Sequence, residues 1–280
     1  MLEARQKPWA ENLPMWLRGV FGRPHQESAL FTKAMLRHNR VAAKRHGVES
    51  ACHPQDLIYE FVIRHPEFRS VGPAVDYYFD DGARSADKLS RLLAELPLEH
   101  RPIRLLEFAS GYGCVTRHLK KQPDLAMLAC DIHPQAIDFL RRQLGVRAVM
   151  SAHTPEELSL GETFDAVFAL SFFSHMPRAT WGRWVRALFS HVAPGGFLIF
   201  TTHGLGSREL HQNPDIPSDG FWFTAISEQA DLDKAEYGST IVTPEFVARE
   251  VRAQTGESVF DHRYAFWWGH QDLWIVRKTA

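Results

Sequence analysis

From Ile103 onward, short apolar runs alternate with helix-period stretches, whereas the chain before that point carries helix period alone. In the leading part, Glu27–His46 places Leu30, Phe31, Ala34, Met35, Val41 and Ala42 at helical spacing. Pro54–Ile63 does the same with Leu57, Ile58, Phe61 and Val62. Both stretches predict helices with one buried face. Next, Tyr77-Tyr78-Phe79 precede an Asp-Asp-Gly turn, after which Ser85 caps a helix bearing Leu89, Leu92, Leu93 and Leu96.

The alternating part predicts five buried strands in succession: Leu105-Leu106-Glu107-Phe108, Leu125–Cys130, Arg147–Met150, Thr163–Ser171 and Phe197–Thr202. Helices separate them, the last running from Trp181 to Val192 before a Pro194-Gly195-Gly196 turn. Punctuation by Gly, Pro, Asn and Asp across residues 205–242, around Phe221-Trp222-Phe223, reads as an insertion or a long loop over the sheet's ligand edge. Thr243-Pro244 caps a helix to Thr255, and Ser258–Phe266 and His270–Arg277 are the final strands, joined at Trp268-Gly269. Strands alternating with helices predict an α/β fold, a doubly wound and mostly parallel sheet of seven strands with an antiparallel end. Residues 1–97 would be a helical cap and 98–280 the sheet domain.

The first strand runs into its helix (Cys114–Lys121) through Ala109-Ser110-Gly111-Tyr112-Gly113, which marks a ligand-binding turn. Glycines at 111 and 113 leave no Cβ between the backbone and a ligand. A nicotinamide-type turn wants G-x-G-x-x-G, and here its three positions hold Ala109, Gly111 and Cys114. The second strand ends in Asp131, 18 residues after Gly113 and close to the roughly 20-residue spacing at which a nucleotide-binding unit presents a carboxylate to a ribose. Glu107, Gly111, Gly113 and Asp131 together resemble the first motifs of the class I S-adenosylmethionine (SAM) dependent methyltransferases, whose usual form has glycine at the position of Ala109. The run SFFSHMPRATWGRWVRALFSHVAPGGFLIFTTHG is similar to the fourth-strand and PGG region of bacterial members, so the resemblance covers Ile103–Gly204.

That resemblance implies a Rossmann-like fold and SAM as cofactor, with S-adenosylhomocysteine (SAH) as product. Asp131 would bind the ribose hydroxyls, while Glu107 and the backbone of Ala109, Ser110, Gly111 and Gly113 would hold the methionine end. Ile132, Ser151 and Ala152 would border the adenine, although the family often has an acid at the place of Ser151. Leu170 and Ser171 would border the amino group, and the stretch holding Tyr78 would cover the cofactor. Methyl transfer from a sulfonium is an in-line displacement favoured by alignment and water exclusion. For a hydroxyl acceptor a base helps, and histidine titrates near neutrality. His175, just beyond the fourth strand, is the first candidate and His203, beyond the fifth, the second. Each could instead be a core or capping histidine. Tyr237, Trp222 and Trp268 could form an aromatic acceptor wall, or be buried for packing alone.

Composition narrows the setting. With 280 residues and 45% hydrophobic content, the chain can bury one sizeable core, and a net charge of −1 argues for no particular partner. Three scattered cysteines, Cys52, Cys114 and Cys130, imply reduced thiols and a cytoplasmic protein. No signal-peptide pattern or membrane-span-length apolar run occurs, and no H-E-x-x-H or Cys/His cluster suggests a metal. Seven Lys or Arg between Arg18 and Arg45, against Glu27 alone, form either a solvated helix face or a patch for RNA. The resulting expectation is a SAM-dependent methyltransferase acting on oxygen or nitrogen of a small-molecule or sugar-like acceptor. A catalytically silent SAM-binding regulator and an RNA-directed methyltransferase are the alternatives, and oligomeric state is left open.

Overall fold

A computed structural model describes residues 32–279 apart from 228 and 230. The expected first helix therefore loses its residues 27–31, which lie outside the described range. The remainder forms α1, Lys33–His46, with Thr32 Oγ1 accepting from the Met35 amide at its start and Gly47 in the left-handed region at its end. Helix α2, Leu57–Arg64, is capped by Asp56, whose carboxylate accepts from the Tyr59 amide. Helix α3 runs unbroken through Val71–Glu95.

That helix corrects the expected Asp-Asp-Gly turn. A Cβ on Gly82 would sit 2.2 Å from the Cys114 carbonyl oxygen, so this glycine serves close approach of α3 to the turn after the first strand. Ser85, expected as a cap, is buried within α3 and accepts from Trp267 Nε1 at 3.1 Å. Helix α3 also joins the helical layer to the sheet. Its first half, with Ala74, Val75, Tyr78 and Phe79, packs on α1 and α2, while Ala86, Leu89, Leu92 and Leu93 pack on the sheet.

The sheet strands are β1 (Ile103–Phe108), β2 (Leu125–Asp131), β3 (Ala148–Met150), β4 (Phe164–Ala169), β5 (Val192–His203), β6 (Phe221–Thr224), β7 (Ser239–Val242), β8 (Val259–Trp267) and β9 (Gln271–Arg277). Strands β3, β2, β1, β4 and β5 lie side by side and parallel. Strand β9 pairs antiparallel with β5 from Phe197↔Arg277 to His203↔Gln271, and β8 closes that edge. These seven strands match the expected sheet. The described sheet has nine, because the 205–242 stretch is not all loop: β6 and β7 form an antiparallel pair whose Ile241 meets the end of β5 at His203.

Period-two alternation divides the core. Leu106, Phe108, Val167, Leu198, Phe200 and Trp274 face α6 (Arg178–Ser190) and α7 (Pro244–Thr255) through Trp181, Val185, Leu188, Phe246 and Val251. Leu105, Phe168, Phe197, Ile199 and Ile275 face the leucines of α3. Helices on both faces leave the carboxyl ends of the parallel strands as the open crevice. The remaining helices are α4 (Thr116–Leu119), one turn where a longer helix was expected, and α5 (Pro134–Arg142), started by Pro134.

Candidate functional site

At that carboxyl edge lies a cavity of about 690 Å³, within the range of small-molecule sites. It sits over the ends of β1, β2 and β4, where the strand order reverses direction. Two of these strands end in residues held in the left-handed region without being glycine: Ala109 at φ 56° after β1 and Ser171 at φ 58° near the end of β4. Such a conformation costs an L residue about 1–2 kcal/mol, and surrounding bonds hold it here. Ser110 donates from its amide to the Cys130 carbonyl, Ser171 from its amide to Thr201 Oγ1, and Gln271 Nε2 donates to Ser171 Oγ.

The two glycines of the turn have different roles. Gly111, at φ 54°, has nothing within 4 Å of where a Cβ would be, and it lines the cavity. Gly113, at φ 79°, faces away from it. A Cβ there would meet Leu144 at 2.5 Å and Leu140 at 2.8 Å, so Gly113 lets α5 and the segment after it pack against the turn. Its expected ligand contact is therefore replaced by a packing role.

Asp131, at the end of β2, is buried and lines the cavity. Its Oδ2 accepts from the Gly111 amide at 2.7 Å, and its Oδ1 accepts from the His133 amide at 3.0 Å and ring Nδ1 at 2.7 Å. A carboxylate offers about four lone-pair positions, so these donors leave one for a ligand hydroxyl. The other ring nitrogen of His133 lies 3.2 Å from Asp231 Oδ2. The hydrogen bond to Asp131 and the nearby Asp231 carboxylate outweigh burial and push the His133 pKa up to about 10, making it an imidazolium between two carboxylates. Glu107, beneath the turn, is buried with its Oε2 lacking a partner. Burial, reinforced by the Asp131 charge and only partly opposed by the Thr116 hydroxyl, raises its pKa to about 8.

Ala109, Ser110, Ile132, Ser151, Ala152, Leu170 and Ser171 line the same cavity, as does His175. The Gly238 carbonyl lies 2.8 Å from His175 Nδ1. Since a carbonyl only accepts, Nδ1 carries the proton and the lone pair belongs to Nε2. Tyr237 stacks on this ring at 4.5 Å with planes 9° apart. Of the expected aromatic wall, Tyr237 and Trp268 line the cavity, whereas Trp222 packs on His211 away from it.

Besides Gly113, two expected site residues lie elsewhere. Tyr78 is buried under α2 and donates from its hydroxyl to Asp56 Oδ2 at 2.7 Å, because its helix continues where a loop was expected. His203 is buried beside His211, His270 and His175, with ring centroids 5.0, 5.8 and 6.1 Å away. Burial and those neighbouring rings lower its pKa well below the usual histidine value, so it is a neutral core residue.

Other lining residues had no sequence signal. Gln55 and Asp56 arrive from the start of α2, a segment tied down by Arg117. That side chain is fully buried, donating from Nε to the Gly113 carbonyl and from one terminal nitrogen to the Glu49 and Ala51 carbonyls. The pattern around it, Thr116-Arg117-His118-Leu119, reads as one turn of an ordinary surface helix. The three cysteines are free. Among the described residues, no helix is long and apolar enough to cross a membrane and no group of three or more His, Cys, Asp or Glu side chains is arranged to hold a metal.

Comparison with known proteins agrees with this geometry. Residues 106–198 match the family described as a methyltransferase domain. Malonyl-[acyl-carrier protein] O-methyltransferase of Bacillus cereus is 29% identical over 147 residues, covering 51% of this chain and 54% of that protein. A tRNA N(3)-methylcytidine methyltransferase of Schizosaccharomyces pombe is 32% identical over 108 residues, covering 35% and 44% respectively. The chain thus spans about half the length of the curated relatives it matches. Among solved structures, a glycopeptide N-methyltransferase complexed with SAH superposes with a TM-score of 0.52 at 14% identity, over 71% of this chain and 90% of that one. Residues 106–198 thus match a methyltransferase domain, and the chain shares its fold with a solved methyltransferase that carries SAH.

Proposed function

We propose that the cavity binds SAM and that the protein moves its methyl group to an oxygen or nitrogen of a small-molecule acceptor. The observation that carries this reading is the convergence of Glu107, Gly111 and Asp131 on one cavity at the switch point of the sheet. The unpartnered, buried Oε2 of Glu107 suits an ammonium, and the remaining lone pair of Asp131 suits a ribose hydroxyl. Open space above Gly111 admits the cofactor to the backbone. Ile132, Ser151 and Ala152 would border the adenine, and Leu170 and Ser171 the amino group.

When bound, SAM supplies an electrophilic methyl on a sulfonium. The protein's contribution is alignment in a site that excludes water, walled by Phe172, Met176 and Trp184. His175 Nε2 would take the proton from the acceptor's O–H or N–H, its orientation fixed by the Gly238 carbonyl and the Tyr237 ring.

Mass spectrometric detection of SAH and a methylated product, after incubation with SAM and a panel of small amines and alcohols, tests the reading. His175→Ala should lower kcat about 10²–10⁴-fold with little change in SAH affinity. Turnover only on RNA or on an acylated carrier protein would overturn the acceptor reading. SAH binding with no turnover on any acceptor would favour a silent regulator. An RNA-directed enzyme draws support from Lys33, Arg37, Arg40 and Lys44, exposed and spaced along α1, and from the tRNA-modifying relative. The acidity of the cavity opposes it.

A further inference from the structure

Charge is distributed unevenly around the cavity. Arg183 is the only arginine or lysine among its described lining residues, and it is committed elsewhere, with Nε and a terminal nitrogen paired to the two oxygens of Glu156. Carboxylates come from every side. Asp56 and Asp81 belong to the helical layer, Glu107 and Asp131 to the strand ends, and Asp231, Asp233 and Glu236 to the segment before β7.

Several of these acids already have partners. Asp131 and Asp231 share His133. Asp56 accepts from the Tyr59 amide and the Tyr78 hydroxyl, Asp81 from Trp268 Nε1 and Arg84, and Asp233 from the Ala235 amide. Burial raises the pKa of Asp56 and Asp81, and Arg117 near Asp56 and Arg84 and Lys88 near Asp81 offset the charge they carry, which leaves Asp233 and Glu236 to meet a ligand. Asp233 and Glu236 line the cavity on the same segment as Tyr237, whose ring stacks on His175, which places them on the acceptor side.

We propose that the acceptor is a small molecule bearing a protonated amine on an aromatic or apolar frame, held by Asp233, Glu236 and the aromatic faces of Tyr237 and Trp184. The proposal rests on the transferase reading and narrows it. Aromatic faces and carboxylates attract a cation by the same electrostatics, the first through ring quadrupoles and the second through charge. An acceptor presenting a carboxylate, a phosphate or a nucleic-acid backbone would meet like charge with no uncommitted arginine or lysine among the described lining residues to offset it. The acceptor so defined differs from the malonyl-carrier and tRNA substrates named for the two relatives.

The test uses SAH-loaded protein and two probes of matched shape, phenethylamine and 3-phenylpropionate, followed by ligand-observed NMR titration. Calorimetry first establishes SAH binding. Its failure would overturn the cofactor reading, whereas the probe result bears on the acceptor alone. The amine should bind at least about tenfold more tightly than the carboxylate. Glu236→Gln combined with Asp233→Asn should weaken the amine about threefold or more with SAH affinity unchanged. Glu236 is exposed, so Glu236→Gln alone gives a variant that keeps its fold and should shift the preference in the same direction. Equal or tighter binding of the carboxylate, a preference untouched by the substitutions, or no amine binding at about 10 mM would overturn the proposal.

Discussion

The amide of Gly111 donates a 2.7 Å hydrogen bond to Asp131 Oδ2, so the turn after β1 is fastened to the end of β2 by the carboxylate that also faces the cavity. The same carboxylate fixes His133, and His133 reaches Asp231 in the segment before β7. A raised histidine pKa has a definite sign in stability. The contribution of protonated His133 is complete below the unfolded value near 6.5 and is lost as pH rises through about 10. Urea unfolding of wild type and His133→Gln at pH 6, 8 and 10.5 should therefore show the wild-type advantage shrinking across that window. An advantage that stays constant with pH would show that His133 is not charged in the folded protein.

Glu107 predicts a proton count. With its pKa at about 8 in the ligand-free site, it is largely protonated at pH 7, and pairing with a ligand ammonium would favour the anion. Titrating SAH in buffers of different ionisation enthalpy should reveal close to one proton released at pH 7, falling toward none above pH 9. Glu107→Gln should abolish the release. The same release in the variant would assign it to another group.

Gly82 predicts a helix substitution with the wrong sign for propensity. Alanine in a helix interior is normally favoured over glycine by about 1 kcal/mol, but here its Cβ would lie 2.2 Å from the Cys114 carbonyl oxygen, a backbone atom with no side chain to swing aside. Gly82→Ala should destabilise the protein by a net of about 1–3 kcal/mol by denaturant unfolding. A neutral or stabilising result would mean that α3 does not press on the turn.

Ala109 predicts the converse. Held at φ 56°, it bears strain that glycine lacks, so Ala109→Gly should stabilise the fold by about 0.5–1 kcal/mol even though glycine makes the unfolded chain more flexible. Destabilisation would show that the alanine methyl contributes packing that outweighs its backbone strain.

What was legible in the sequence follows from how local each signal is. The strands β1, β2, β4 and β5 are apolar runs whose burial on both faces is written in the residues themselves, and Glu107, Gly111 and Asp131 are fixed by distance from those runs. Signals that depend on a partner far along the chain were misread. Gly82 reads as a turn because the Cys114 carbonyl it accommodates is 32 residues away, a close approach that no local window contains. Ser85 looks like a cap because its partner, Trp267, comes 182 residues later. Tyr78 was placed over the cofactor on the strength of the same false turn. His203 follows a strand end as His175 does, and only the surrounding histidines show that it is walled off from the cavity. Arg117 carries no sequence signal, because its acceptors at Glu49 and Ala51 lie in a segment without regular structure.

The account as a whole depends on the cavity being a SAM site, and calorimetric titration of SAH into the protein tests that most directly. It predicts saturable one-to-one binding at micromolar concentration that Asp131→Ala weakens by about 10–100-fold. The variant should show cooperative unfolding under the same conditions. No heat of binding at millimolar SAH in the folded wild type, or affinity unchanged by Asp131→Ala, would contradict it.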